Sequence, residues 1–496
     1  MAGLILYSVN PRSLGTLPEW TVALMEAEKL GCNAIHLNPF HPVTAASKNY
    51  HGAQVSGSLY AIRDHFTINE EFCGGLSQVQ AFYQLRDFMR MARAKKMRVL
   101  ADLVFNHVAI DHPLVAAHAN FFRHDADGKL HVPGPADDPW TDIAQIDYNN
   151  AEAWNYFLGE SGYWLRLIDE YLDIGFSGFR CDAVYWLPQL VWERALNHAL
   201  VRSPDTLILA ETLGLSGQDA ELMSETLRES DARLVYDICY DDVGRTWDNR
   251  DIPALKNSRK GRMDVAARDG AMGFVDSHDF KPRAAELRKQ YGAGAEADAK
   301  IAAICLRDYA VACFTNDSVM LPRGYQWCVE DHVGPFREQV NAEFYKALKL
   351  DRKHTKSAFT LGPSIAEMHR IRSQLPPSVT VEFSRVHIAG HEGLTAMQCD
   401  YTPAGGKTPA TSIIMLLNIA PEKGAVKFPE EWWKEFKGSE TGALRFQFGA
   451  DRNHREQISG VALLLVPGGL KMQRHHNPSN VAALKGEAPP EPALVA

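Results

Sequence analysis

The chain has 496 residues, 46% of them hydrophobic, and a formal net charge of -9. That is enough apolar material for one large core and a smaller second one, and too long for a single small domain. The acidic balance, with no basic run, excludes nucleic acid and anionic membrane surfaces as natural partners. The eight cysteines are scattered without CxxC spacing, which points to reduced, buried side chains and not to a disulfide framework or a zinc site. The N-terminal "GLILYSV" lacks a basic leader and an A-x-A cleavage site, and no apolar run approaches membrane-span length. A cytoplasmic globular protein is expected.

Eight short strand-like runs follow in chain order: 4–9, 34–39, 98–105, 175–183, 207–212, 234–240, 273–278 and 318–322. Amphipathic helical stretches such as 76–96 and 153–172 separate them. Strand–helix alternation predicts a parallel sheet, and eight units predict a closed (β/α)8 TIM barrel over residues 1–370. Residues 108–150 are too long and too weakly periodic for a loop, so they form a small insertion after strand three. Beyond the barrel, "VTVEF", "SIIMLLNI", "LRFQF" and "VALLLVP" predict an antiparallel C-terminal β-domain over 371–474. The Pro/Ala-rich 475–496 reads as a disordered tail.

Polar residues stand where an apolar core would not choose them. In "GFRCDAVYW", Arg180 and Asp182 are two residues apart on a strand and share a face, whereas Phe179 and Cys181 face the other way. Strand three ends "DLVFNH", with Asp102, Asn106 and His107; strand five ends at Glu211; strand seven runs into His278 and Asp279. A structural salt bridge or a loop start would explain any one of these. Their recurrence at one end of one barrel, where barrel chemistry resides, points to acid/base or nucleophilic work.

The motifs "DLVFNH", "GFRCDA", "AET" and "FVDSHD", in this order, resemble the four signature regions of the alpha-amylase superfamily, glycoside hydrolase family 13. "SGSLYAIRDHFTIN" and "IDYNNAEAWNYF" resemble neighbouring segments of the same superfamily, and the resemblance spans roughly residues 1–350. It implies Asp182 as nucleophile, Glu211 as general acid/base and Asp279 as the carboxylate that stabilises the transition state. It further implies that Arg180 keeps Asp182 ionised and that His107 and His278 bind sugar hydroxyls. Tyr60 would stack under the sugar ring and Asp102 would brace the site. The chemistry agrees: an oxocarbenium-like transition state needs one acid for the leaving oxygen and one carboxylate for the cation.

Three departures from the superfamily pattern qualify this. Tyr185 and Trp186 replace a Lys-His pair on the leaving-group side, where Trp186 could stack an acceptor sugar. Gln145 stands where calcium-dependent relatives carry an aspartate, so no metal and no cofactor is expected. Lys281 and Arg283 follow Phe280, as a salt-bridge face or as a site for an anionic group. The leading expectation is a retaining hydrolase of maltooligosaccharides or related α-glucosides. A maltosyltransferase-like transglycosylase is the alternative, although "GSL" before Tyr60 offers no basic residue for a phosphate. An inactive sugar-binding relative is the third reading, and the presence of all three carboxylates weighs against it.

Overall fold

The structure is a computed structural model. It describes residues 3–213 except 51 and 135, then 238–240, 270–339 and 360–375. In the C-terminal part it describes 378–386, 393–403, 410–419, 421, 425–430, 444–448, 457–459 and 461–467. The expected tail 475–496 lies outside the described residues.

Eight parallel strands form one sheet: β1 (Ile5–Val9), β2 (Ala34–Leu37), β3 (Arg98–Leu103), β4 (Gly178–Cys181), β5 (Leu207–Glu211), β6 (Ile238–Tyr240), β7 (Met272–Gly273) and β8 (Ser318–Pro322). Their order is 6-5-4-3-2-1-8-7, so each strand neighbours its sequence neighbour and β1 meets β8. The edge strands β6 and β7 lie against one another, which curls the sheet towards a barrel. Among the described residues, no hydrogen-bonded ladder joins those two strands. Connecting helices are α1 (Thr21–Leu30), α2 (Gln78–Ala94), α3 (Tyr163–Ile174), α4 (Gln189–Arg202), α5 (Arg283–Tyr291), α6 (Ala295–Phe314) and α7 (Gly362–Gln374). No described helix is long and apolar enough to cross a membrane.

The period-2 pleat sorts the strand residues into two populations. Outward-facing Tyr7, Ile35, Val99, Phe179 and Ile208 join the large core beneath the helices. Inward-facing Leu6, Ala34, Leu100, Leu207 and Leu209 fill the lower half of the barrel. Two residues further along the same face stand Ser8, His36, Asp102, Arg180 and Glu211, all buried. Register then places Ser8 beside His36 and Asp102 beside Arg180. The lower half is sealed by apolar packing, and the upper half is a buried polar layer.

The region expected as an insertion opens and closes on a short antiparallel pair, His107–Ala109 with Ile143–Gln145. A second hairpin, Ser47–Tyr50 with Ala53–Ser56, rises from the segment after β2. It is tied to the segment after β8, because Ser56 N–H and Oγ–H both donate to the Glu338 carboxylate.

The C-terminal part is a five-stranded antiparallel sheet, in the order Ser378–Val386, Leu394–Pro403, Thr411–Asn418, Val461–Pro467, Leu444–Phe448. The second of these strands was not expected from the sequence. α7 also runs past the anticipated boundary at 370, to Gln374, because Ile371 and Arg372 are buried along with Ile365 and Met368.

α6 lies between barrel and sheet, and every residue from Ile301 to Phe314 is buried. Asp308 on this helix accepts from both Arg307, at 2.7 Å, and Arg283, at 3.1 Å. Arg283, read from the sequence as either salt-bridge face or anion site, is therefore a buried structural partner. Arg307 also donates to the Asn418 carbonyl of the C-terminal sheet, at 3.2 Å. Tyr401 in turn donates to the Phe314 carbonyl at the end of α6, at 2.6 Å.

Candidate active site

The C-terminal ends of the strands open into a cavity of about 600 Å3. Eight of the nine site residues expected from the sequence line it: Tyr60, His107, Arg180, Asp182, Trp186, Glu211, His278 and Asp279. Asp102, the ninth, lies just beneath the lining.

Asp102 is the centre of the supporting network. Its Oδ1 accepts from Arg180 Nη1 at 2.8 Å. Its Oδ2 accepts from the Tyr60 hydroxyl at 2.8 Å and from His36 Nε2 at 3.1 Å. The other His36 nitrogen, Nδ1, accepts a hydrogen bond from the Ser8 hydroxyl. Tyr60 Oη receives His278 Nε2–H at 2.7 Å and Asn38 Nδ2–H at 3.1 Å. The Tyr60 and His278 rings are parallel within 8°, at 5.1 Å. Neighbouring donors and acceptors thus fix the tautomers of both histidines. Burial lowers the His278 pKa to about 4, so its imidazole is neutral.

Arg180 serves three carboxylates. Nη1 bridges Asp102 and Asp182, the latter at 2.5 Å, and Nη2 lies 3.5 Å from Glu211. Burial alone would raise the pKa of Asp102, but Arg180 and His36 outweigh it and hold the carboxyl well below its ordinary range. Asp182 and Glu211 behave in the opposite way. Burial dominates, the like charges of the neighbouring carboxylates add to it, and Arg180 offsets only part. Asp182 is pushed up to about 7 and Glu211 to about 8. Arg180 favours the ionised form of Asp182, and burial together with the neighbouring carboxylates opposes it.

The turn after β4 aims the pair. Ala183, directly after Asp182, adopts φ 42° and ψ 55°, a left-handed conformation that a non-glycine residue takes at a cost. It brings the Ala183 N–H to Glu211 Oε2 at 2.5 Å, while Leu213 N–H holds Oε1 at 2.9 Å. Asp279 sits at the rim, more exposed, with Ser277 Oγ donating to its Oδ2 at 3.3 Å. His107 donates from Nε2 to the Tyr60 carbonyl at 3.1 Å, so a sugar hydroxyl would compete with that bond.

The sequence reading missed one wall of the cavity. Lys48, from the hairpin after β2, points its ammonium at the rings of Phe336, Trp140 and Tyr50, at 5.1, 5.3 and 5.8 Å. Its nearest carboxylate oxygen among the described residues is Asp142 Oδ1, at 3.7 Å. Around Asn106, the position of interest for a cation is already used. Asn106 Oδ1 accepts from Gln145 Nε2, and Gln145 Oε1 accepts from Arg123. A hard cation wants several free oxygens, and this arrangement supplies an amide pair and a guanidinium instead.

Fold and cavity together define an α/β-barrel protein whose strand ends gather carboxylates around one arginine. Comparison with known proteins narrows this. A family described as glycogen debranching enzyme, glucanotransferase domain, matches residues 1–122. Among curated proteins, the chain is 25% identical over 41% of its length to an alpha-1,4-glucan:maltose-1-phosphate maltosyltransferase of Picrophilus torridus, covering 32% of that protein. It is 22% identical over 82% of its length to the protein of that name from Bifidobacterium longum, covering 51% of it. The chain thus spans about half, or less, of these relatives. Among solved structures, an alpha-amylase from Lactobacillus plantarum matches with a TM-score of 0.61 at 20% identity, over 93% of this chain and 98% of that one. The alpha-glucosyl transfer enzyme XgtA matches with 0.64 at 13% identity, over 94% and 99%. The chain is a relative of the alpha-amylase superfamily, glycoside hydrolase family 13.

Proposed function

We propose that the chain is a retaining enzyme of α-glucosidic bonds in maltooligosaccharides or related short α-glucosides. It passes a glycosyl group through an ester on Asp182 to a sugar hydroxyl, with water as the competing acceptor. The observation that carries this reading is the convergence of Asp182 and Glu211 on opposite nitrogens of one guanidinium. Sharing one guanidinium favours the carboxyl separation of about 5–5.5 Å used by retaining enzymes over the roughly 6.5–9.5 Å of inverting ones.

Glu211, protonated at neutral pH through its burial, donates its proton to the leaving glycosidic oxygen. An Asp182 oxygen bonds to the anomeric carbon as the glycosidic C–O bond breaks, and that electron pair leaves with the departing oxygen. Asp279, at the rim beside His278, faces the positive charge that develops on the ring. In the second step Glu211, now a carboxylate, takes the proton of the incoming hydroxyl. Tyr60 and His278, locked to each other and to Asp102, form a flat floor for the sugar at the cleavage point. Trp186 lies on the leaving-group side. The maltosyltransferase names among the curated relatives support transfer ahead of hydrolysis.

A slow 2-fluoro-α-glucosyl fluoride tests the assignment. A covalent adduct is expected on the peptide containing "FRCDAVYW", with net retention at the anomeric carbon in turnover. An adduct on Glu211 or Asp279, or an inverted product, overturns it.

A further inference from the structure

Two arginines, Arg180 and Arg12, rank with the tryptophans among the largest fully buried side chains of the described residues. The chemistry above uses the first and gives the second nothing to do. Arg12 stands in a short 3-10 turn, Pro11–Ser13, soon after β1, and its side chain does not line the cavity. A buried guanidinium is costly unless its donors are used, so its partners show what it is for.

Those partners fall into two groups. Nε donates to the Glu71 oxygens at 3.1 and 3.3 Å, and Nη2 lies 3.0 Å from the same carboxylate, which balances the charge. Nη1 instead donates to two backbone carbonyls, Gly57 at 2.7 Å and Pro335 at 2.8 Å. These belong to different loops, after β2 and after β8, and each adjoins the cavity. Gly57 leads into Ser58 and Tyr60, and Pro335 into Phe336, all of them in the lining. The Pro335 oxygen also accepts from Leu59 N–H at 3.0 Å. Asn10, in the same turn as Arg12, donates from Nδ2 to the Gly334 carbonyl at 2.8 Å and accepts from Arg12 N–H at 2.9 Å. Gly57 has φ 65°, which favours glycine, and a Cβ there would come within 3.3 Å of Arg337. The turn after β1 thus ties the loop of the Tyr60 floor to the loop of Phe336, whose ring is the nearest of the three to the Lys48 ammonium. A planar guanidinium suits this task. Its rigid fork points Nε and Nη2 at one partner and Nη1 at another, whereas an ammonium is a single point.

We propose that Arg12 is a positioning residue for substrate binding. Through the Gly57 and Pro335 carbonyls it sets the gap between the Tyr60 floor and the Phe336–Lys48 wall, and with it the affinity for a maltooligosaccharide, without touching the sugar. This rests on the reading of the cavity as the sugar site given above. Asp182 and Glu211 are held at the ends of β4 and β5, outside these contacts, so the chemical step does not depend on Arg12.

The test compares Arg12→Lys, Glu71→Gln and Asn10→Ala with the full parent chain. It reads the dissociation constant of maltotriose by calorimetry, KM and kcat for maltotriose, the pH profile of kcat, and Tm. Arg12→Lys keeps a positive charge beside Glu71 but cannot span both carbonyls. It should weaken maltotriose binding and raise KM by about tenfold, with kcat and both limbs of its pH profile unchanged. Glu71→Gln removes the balancing charge and leaves the carbonyl bonds in place, so Tm should fall at least as far while KM stays at the parent value. Asn10→Ala, a milder change in the same turn, should raise KM by a smaller factor, and it carries the test should Arg12→Lys fail to fold. Unchanged binding and KM in the folded variants of Arg12 and Asn10 overturn the proposal. So does an equal rise of KM in Glu71→Gln, because KM would then follow stability and not the carbonyl contacts. A fall in kcat or a shifted pH limb without a change in KM overturns it as well. A parent chain that binds maltotriose but neither turns it over nor forms an adduct on Asp182 instead brings down the catalytic reading, and the dissociation constants still decide the role of Arg12.

Discussion

The barrel holds two buried clusters of arginine and carboxylate with reversed ratios. On α6, two guanidiniums, Arg283 and Arg307, converge on the single carboxylate of Asp308. At the strand ends, three carboxylates, Asp102, Asp182 and Glu211, converge on the single guanidinium of Arg180. Both clusters are shielded from water, so electrostatics is strong in each. In the first, every carboxylate oxygen has a charged donor, and the cluster acts as a fastener between helices and sheet. In the second, negative charge is in surplus. Asp102, just beneath the cavity lining, is held low by Arg180 and His36 together, whereas burial outweighs Arg180 at the two groups facing the cavity, which hold their protons to higher pH. An under-supplied cation distinguishes a cluster poised for chemistry from one that only holds parts together.

Four experiments would break or sharpen this contrast. The largest stability loss is expected for Asp308→Leu, which removes the buried carboxylate that Arg307 and Arg283 share, next to guanidiniums that cannot shed their charge. Denaturant midpoints should fall by the equivalent of about 3–5 kcal/mol, almost equally at pH 5 and pH 8. Arg180→Leu should cost about 3 kcal/mol at pH 8 but clearly less at pH 5, because stranded carboxylates can take up protons. Equal losses at both pH values would erase the distinction between the clusters.

Glu211→Gln comes next. With a folded-state pKa near 8, above its ordinary value, Glu211 holds its proton longer in the folded than in the unfolded chain. Its contribution to stability is therefore greatest at low pH and is lost as pH rises through about 8. The glutamine variant should be more stable than the parent at pH 9, by about 1–3 kcal/mol, and similar at pH 4. Its activity on glycosyl fluorides should keep the acid limb set by Asp182 and lose the alkaline limb near 8. A variant less stable than the parent at pH 9, or one retaining the alkaline limb, contradicts the raised pKa. The smallest effect is expected from chelation. With Gln145 and Arg123 occupying the surroundings of Asn106, prolonged dialysis against a chelator should leave Tm and activity within experimental scatter.

Much of the site was legible because a strand has period two. Arg180 and Asp182, or Leu209 and Glu211, share a face by arithmetic alone, and four such strand ends converge wherever the strands are parallel and neighbouring. The Lys48–Trp140–Phe336 wall was not legible. Its members come from three loops, far apart in sequence and without periodicity, and "DDPWTD" reads simply as a turn. The strand Leu394–Pro403 was missed because Gln398 and Asp400 interrupt its apolar pattern. In the folded chain they satisfy each other, with Gln398 Nε2 donating to both Asp400 oxygens, at 2.9 and 3.0 Å, and Ser412 Oγ adding a third donor. The full surroundings of Asp182 were not legible for a related reason. The Arg180–Asp182 pair is local, but the competitors Asp102 and Glu211 arrive from neighbouring strands.

α6 carries a consequence for anyone dividing this protein. From Ile301 to Phe314 this helix is buried on every side and has no face made for water. One flank packs on the barrel, and another rests against the antiparallel sheet through Arg307 and Tyr401. The parallel sheet is separate from the antiparallel sheet by topology but not by solubility. Cut after α7, it would present Ala, Val, Cys and Phe side chains to solvent as a sticky stripe, and aggregation would set in before any loss of catalytic geometry could be measured.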